Sequence, residues 1–511
     1  ALEVKVALSP VSASGALANL QAEAGGKSFE QLRAAAEEKW EKELGQIEVE
    51  GDYDQVCNLY SSMYHTLINP SVYMDRDGAY RGLDHEIHQA KDFTNYTVFS
   101  VWDTYRALHP LYNLLHPERS RDIIASMLAH YSQSVHGSLP IWSHMGNENW
   151  CMIGYHGVSV VADAYVKGIP MKEELALKAV VNSSTIPYLD GTKEYMKLGY
   201  VPLEKSGSAA SITLEYGYDD WAIYNMAEKM GKREVAATYK KRAAAYKHLT
   251  DPSSGFIRPK NAAGKWKENF DVLDTHGQGF IEGNSWNYSF YVPQDVEGLM
   301  EAMGGDKRFV ERLDSLFTMH LPEKYYANTE DITEEGLMGN YVHGNEPSHH
   351  IAYLYMWTSQ PWKTQYRIRE IMDRMYRNNI DGLCGNDDCG QMSAWYIFNA
   401  MGFYPTAPSS NIYNIGSPAL ESVDMRMSNG KHVKVTTQNW SPENVYIREM
   451  YLNGKKYDKS YLTYDDIREG ATIHFVLSRK PNYRRAISDA AVPASLSETG
   501  KTLLYRPSSG R

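Results

Sequence analysis

The chain has 511 residues, 43% of them hydrophobic and 23% charged, with a net charge of -11 and a pI near 5.9. That balance belongs to a globular protein long enough for two or more domains, and it argues against a nucleic-acid partner, which would require a basic face. No apolar run approaches the length of a membrane span.

Residues 2–8 alternate as a strand, and a Ser/Ala/Gly-rich linker runs from there to Lys27. Ser28 and Gln31 form a capping-box signature, after which Phe29, Leu32, Ala36, Trp40 and Leu44 share one helical face. A second helix carries Val56, Leu59, Tyr60, Met63, Tyr64 and Leu67 and stops at Pro70. Further helices are predicted near 97–109, 118–134, 151–166, 171–183, 215–230, 232–248, 293–303, 306–318, 347–358, 361–378 and 391–402. Long polar loops at 70–96, 135–150, 203–214, 274–292, 336–346 and 379–390 precede every second helix, so in an up-down array they converge on one face.

That pattern predicts a mainly α fold, an (α/α)6 barrel over 28–410 with a pocket at its mouth. An open solenoid is the alternative, but no fixed-period repeat is visible. Residues 411–482 read as a small β module with Asn453-Gly454 as a hairpin turn, and 483–511 as an extension.

Tyr (38) and Trp (11) together far outnumber Phe (12), a leaning toward amphipathic ligands such as sugars. The four cysteines show no Cys-x-x-Cys spacing, which argues against zinc. Cys384 and Cys389 could close a small disulfide ring or stand as buried thiols.

The chemistry concentrates in the converging loops. Asp103, in Trp102-Asp103-Thr104-Tyr105-Arg106, is either a ligand-binding acid on an inward helix or half of a surface pair with Arg106. Glu148 follows in Asn147-Glu148-Asn149-Trp150. Glu215-Tyr216-Gly217-Tyr218-Asp219-Asp220 reads as a capped helix start. Glu282 sits among small and aromatic residues, including Trp286, a setting that suits a general acid. The run from His343 through Asn345, Glu346, His349 and His350 offers oxygen ligands, and with Asp388 these fit a hard cation such as calcium better than zinc. In the loop 385–393, Asp387 and Asp388 are candidates for a base, a cation ligand or a helix cap. An acid at Glu282 and a base at Asp388 on facing loops suggest glycoside hydrolysis.

Glu282-Gly-Asn-Ser-Trp, His343-Gly-Asn-Glu-Pro-Ser-His-His, Gly385-Asn-Asp-Asp-Cys-Gly-Gln-Met-Ser-Ala-Trp and Gly402-Phe-Tyr-Pro together resemble glycoside hydrolase family 92, the calcium-dependent exo-acting α-mannosidases. The resemblance implies an inverting mechanism on terminal α-mannose of glycans such as N-glycans, with Ca2+ at the sugar hydroxyls. It implies Glu282 as acid, Asp388 as base with Asp387 as helper or alternative base, and Asn345, Glu346 and Asp388 near the metal. Asp103, Trp102, Trp286, His343 and Glu148 are the sugar-binding candidates. It also implies a secreted, periplasmic or cell-surface protein. Family members carry an N-terminal β-sandwich, of which residues 1–10 resemble only a remnant strand, so the rest is expected on another chain, as a cleaved portion, or outside the sequence given. Another (α/α)6 enzyme, such as a glucosidase or glycoside phosphorylase, and a non-catalytic calcium-dependent glycan-binding protein are the alternatives.

Overall fold

The computed structural model describes residues 2–325 and 336–497, and the fold is mainly α. The last part of the expected extension, 498–511, lies outside the described residues. Ser28 and Gln31 close the capping box that starts Phe29–Leu44, and Asp52 caps Tyr53–Thr66.

Beyond these, a set of almost wholly buried segments makes a circuit. Leu108–Leu115 packs between Gln391–Met401 and Gly157–Val166, and Gly157–Val166 packs on Ala209–Lys229. Ala209–Lys229 meets Ser285–Tyr288 where the Tyr288 hydroxyl donates to Glu215. Ser285–Tyr288 lies against Glu346–Ser348, and Val296–Ala302 against Ile351–Trp357. The circuit returns to Gln391–Met401 where Tyr353 donates to Asn399 at 2.6 Å and Trp395 to the His349 carbonyl at 3.0 Å.

Six of these segments are backed by an amphipathic helix. Pro117–Gln133, Glu173–Ser183, Arg233–Arg242, Asp306–Thr318, Trp362–Met375 and Tyr53–Thr66 pack on the segments in turn. Asp306–Thr318 shows the logic: Phe309, Val310, Leu313, Leu316 and Phe317 form one stripe that faces inward, and the other face stays polar.

The C-terminal strands form a six-stranded sheet in the order Ile47–Glu50, Ser422–Arg426, His432–Gln438, Ala471–Ser478, Tyr446–Leu452, Lys455–Lys456. All its pairs are antiparallel except His432–Gln438 with Ala471–Ser478. Asn453 and Gly454 have φ of 50° and 75°, the left-handed pair that a two-residue hairpin needs.

Several expectations need correction. Residues 2–8 pair with no strand among the described residues, and Leu2, Val4, Val6 and Leu8 are exposed. The linker contains a helix, Ala13–Ala24, capped by Ser12 and tied down where Asn19 donates to Asp75 at 2.8 Å. The β region does not begin at 411, since Ile47–Glu50 supplies one edge of its sheet. The helix near 97–109 is split into Val101–Thr104 and Leu108–Leu115, because the Gln391 side chain takes the Ala107 and Leu108 N–H groups. The segment 347–358 is wound as tight 3-10 turns rather than as an α-helix.

Candidate active site

The loop before Gln391–Met401 is built on a run of left-handed residues: Asp388 (φ 48°), Cys389 (55°) and Gly390 (95°). Only Gly390 adopts that region without steric cost, and its position leaves no space for more, since a Cβ there would stand 3.0 Å from the Thr66 Cα. The non-glycine pair costs on the order of 1–3 kcal/mol per residue, a cost that folds tend to concentrate at functional sites. The bend separates two neighbouring carboxylates. Asp387 turns back to cap the helix: its Oδ1 accepts the Ser393 N–H (3.0 Å) and hydroxyl (2.6 Å), and His65 Nδ1 lies 3.1 Å from that hydroxyl. Asp388 turns to the interior.

There it meets Asp103 and Glu346. One carboxylate oxygen from each of the three can be chosen so that all lie within 4.8 Å of one another. Asp103 is 2% exposed and Glu346 2% exposed, so the cluster is largely desolvated. Burial, then the charge of Asp388 and more weakly that of Glu282, push the Asp103 carboxyl well above the usual range, against the Ser100 hydroxyl bond and the charge of Arg106. Burial, then the charges of Asp388 and Asp103, push Glu346 up likewise. Two buried oxygens at this spot, Asn345 Oδ1 and Glu346 Oε1, have no hydrogen-bond partner among the described residues. Oxygen donors, excess negative charge and unused lone pairs are what a hard divalent cation requires.

Glu282 belongs to the same site. Its backbone is also left-handed, at φ 47°, and its carbonyl accepts a hydrogen bond from Asn345 Nδ2. That bond couples the segment bearing Glu282 to the residue that precedes Glu346. Asn284 then opens Ser285–Tyr288 with a capping box shared with Asn287.

Other candidates occupy different positions. His343 is fully buried, with its nitrogens 2.8 Å from the Tyr341 and Tyr376 hydroxyls and its ring against Trp395. Burial and the neighbouring His349 hold its pKa well below the usual imidazole value. Both nitrogens are therefore spent inside the protein rather than presented to a sugar. Glu148 folds back on its own loop, taking the N–H groups of Ile141 (3.0 Å), Trp142 (2.7 Å) and Trp150 (3.2 Å). Trp102 is buried, with its indole N–H on Glu215. Trp286 is half-buried against Phe256. His349 and His350 place Nε2 on the His343 and Phe290 carbonyls at 2.9 and 2.8 Å, and His349 Nδ1 lies 3.1 Å from the Gln391 side-chain amide. Cys384 and Cys389 are free thiols.

Two sequence readings are overturned. Asp103 and Arg106 are no surface pair, being 2% and 4% exposed. Arg106 stacks over Trp102, Tyr105 and Tyr291 and donates through Nε to the Trp102 carbonyl at 3.0 Å. Glu215, Asp219 and Asp220 do not begin a helix but lie in the middle of Ala209–Lys229, fully buried. The contact of Glu215 with His156 carries no sequence signal, since the two stand 59 positions apart.

A model of the glycosyl hydrolase family 92 catalytic domain matches residues 15–479. The chain belongs to glycosyl hydrolase family 92. A family GH92 α-mannosidase of Bacteroides thetaiotaomicron is 50% identical, with a TM-score of 0.92 over 98% of this chain and 65% of that one. That enzyme is also known in complex with mannoimidazole. A family GH92 inverting mannosidase of the same organism is 36% identical, with a TM-score of 0.88 over 96% of this chain and 68% of that one. An uncharacterized secreted glycosidase of Arthroderma benhamiae is 25% identical over 94% of this chain and 61% of its own length. The family 92 chain described here thus spans about two thirds of these relatives. Among its described residues no helix is long and apolar enough to cross a membrane.

Proposed function

We propose that this family 92 chain is the catalytic part of a calcium-dependent, inverting exo-α-mannosidase that removes terminal α-linked mannose from glycans such as N-glycans. The observation that carries the reading is the trio of buried Asp103 and Glu346 with half-buried Asp388, held beside the segment that bears Glu282. The circuit of buried segments is read as the inner ring of an (α/α)6 barrel, with 28–410 as the catalytic domain and 411–482 as a β module that borrows Ile47–Glu50. The mannosidase relatives support the substrate class. The relative described as secreted supports an extracytoplasmic location, whether secreted, periplasmic or on the cell surface.

Asp103, Glu346, Asp388 and Asn345 would hold the calcium ion. When bound, the ion supplies Lewis acidity and a template for vicinal sugar hydroxyls. Glu282 protonates the glycosidic oxygen as the bond breaks. The Asp388 carboxylate takes a proton from the water that attacks the opposite face, and the product inverts. Asp387, committed to the helix cap, holds Asp388 in place and is the weaker candidate for the base.

The test is hydrolysis of an α-mannoside before chelation, after it, and after calcium add-back. Activity lost with chelator and restored by calcium is expected. Full activity in excess chelator contradicts the metal role, and no activity under any condition contradicts the substrate assignment for this chain.

A further inference from the structure

Beneath the candidate site lies a fully buried carboxylate that the reaction scheme does not use. Glu215, in Ala209–Lys229, is 0% exposed. Its oxygens accept hydrogen bonds from the Trp102 indole (3.0 and 3.2 Å), from the Tyr288 hydroxyl (3.2 Å) and from His156 Nε2 (2.9 Å). These donors come from separate parts of the chain. Trp102 precedes Asp103 in Val101–Thr104, Tyr288 ends the short helix that follows Glu282, and His156 precedes Gly157–Val166.

His156 Nδ1 lies 2.9 Å from Asp219, and Asp219 also takes the Ser159 hydroxyl at 2.7 Å and the Tyr155 N–H at 3.0 Å. With a carboxylate at each ring nitrogen and its pKa pushed up to about 9, His156 stands as an imidazolium between Glu215 and Asp219. Arg106, buried across Trp102, adds a second cation. Removing one partner from such a network leaves buried charge without compensation.

We propose that Glu215 is a positioning residue that fixes the Trp102-Asp103 segment relative to the Glu282–Tyr288 segment, so that the cation ligands and the acid keep their register. The geometry is specific. One carboxylate ties the indole next to a cation ligand to a phenol beside the acid-bearing loop, where the Tyr288 ring stands 3.3 Å from the position of a Cβ on Gly283. The inference rests on the proposed calcium-dependent mannosidase reading, but it makes a claim about binding that is separable from turnover.

The experiment compares the full chain with Glu215→Gln, Trp102→Phe, Tyr288→Phe and the Trp102→Phe/Tyr288→Phe double variant. Terbium luminescence measures cation binding, circular dichroism the fold, and an α-mannoside assay kcat and KM separately. Glu215→Gln is expected to bind terbium about tenfold more weakly and to lower kcat at least tenfold, with KM changed less than threefold and helical signal retained. Trp102→Phe and Tyr288→Phe each loosen one arm of the bridge, so their effects on kcat should be non-additive, the sign of coupling through a shared group. Purely additive effects, or Glu215→Gln within twofold of the parent in both binding and kcat, overturn the inference. If Glu215→Gln does not fold, the cycle between the two single-donor variants decides alone. A parent chain that neither binds terbium nor cleaves overturns the functional reading and takes this inference with it. A parent that does both, with no coupling in the variants, overturns the inference only.

Discussion

Asp387 and Asp388 are neighbours in the chain and face opposite ways, Asp387 onto the Ser393 N–H and hydroxyl and Asp388 onto Asp103 and Glu346. The left-handed backbone at Asp388 is what divides them. Asp388→Asn should therefore reduce kcat by about 10²–10⁴-fold, the range of a lost general base, with little change in melting temperature. Asp387→Asn should instead cost about 1 kcal/mol as a weakened cap and lower kcat less. Steady-state kinetics with thermal melts on the two variants check this, and a reversed pattern would move the base to Asp387.

Glu282 is assigned the acid, so its loss should depend on how much help the leaving group needs. Glu282→Gln should lower kcat/KM by about 10²–10⁴-fold on a mannosyl disaccharide and far less on an activated aryl mannoside. Equal losses on both would remove Glu282 from that role.

Gly390 has φ 95° and a Cβ there would approach the Thr66 Cα. Gly390→Ala should thus cost about 1–2 kcal/mol from the left-handed backbone alone and weaken cation binding by moving Asp388. Urea denaturation and a terbium titration measure the two effects. An unchanged denaturation midpoint would mean that the loop relaxes freely.

Burial works against the charge of His156, but Asp219 and Glu215 on either side push its pKa up to about 9. A histidine raised in the folded state stabilises fully below its unfolded pKa, near 6.5, and that contribution is lost as pH rises through 9. The shift corresponds to a few kcal/mol, at about 1.36 kcal/mol for each unit. Urea denaturation from pH 6 to 9.5 should show stability falling over that window, and a flat profile would contradict the imidazolium.

Much of this was legible in residues that are near one another in sequence. Ser28 and Gln31 announced a helix start and Asn453-Gly454 a hairpin turn. What was not legible depended on contacts between distant segments. Gln391 breaks the helix at Ala107 by supplying bonds from almost 300 positions away, and nothing near Ala107 signals it. Ile47–Glu50 is only a four-residue apolar/acidic alternation, too short to signal a strand, until Ser422–Arg426 pairs with it. Glu148 and His343 looked like sugar ligands because exposed loops and polar motifs suggest binding, but backbone N–H groups and tyrosine hydroxyls consume them. The network of Glu215 and His156 was hidden because a buried charge in a long helix is intelligible only with its partners in place.

The central claim is that two carboxylates on facing segments work on opposite faces of one mannose. Following hydrolysis of an aryl α-mannoside by proton NMR from the first turnover tests it most directly. β-Mannose should appear first and then mutarotate, as a water-activating pair requires. Initial release of α-mannose would contradict the assignment of Glu282 and Asp388 as acid and base.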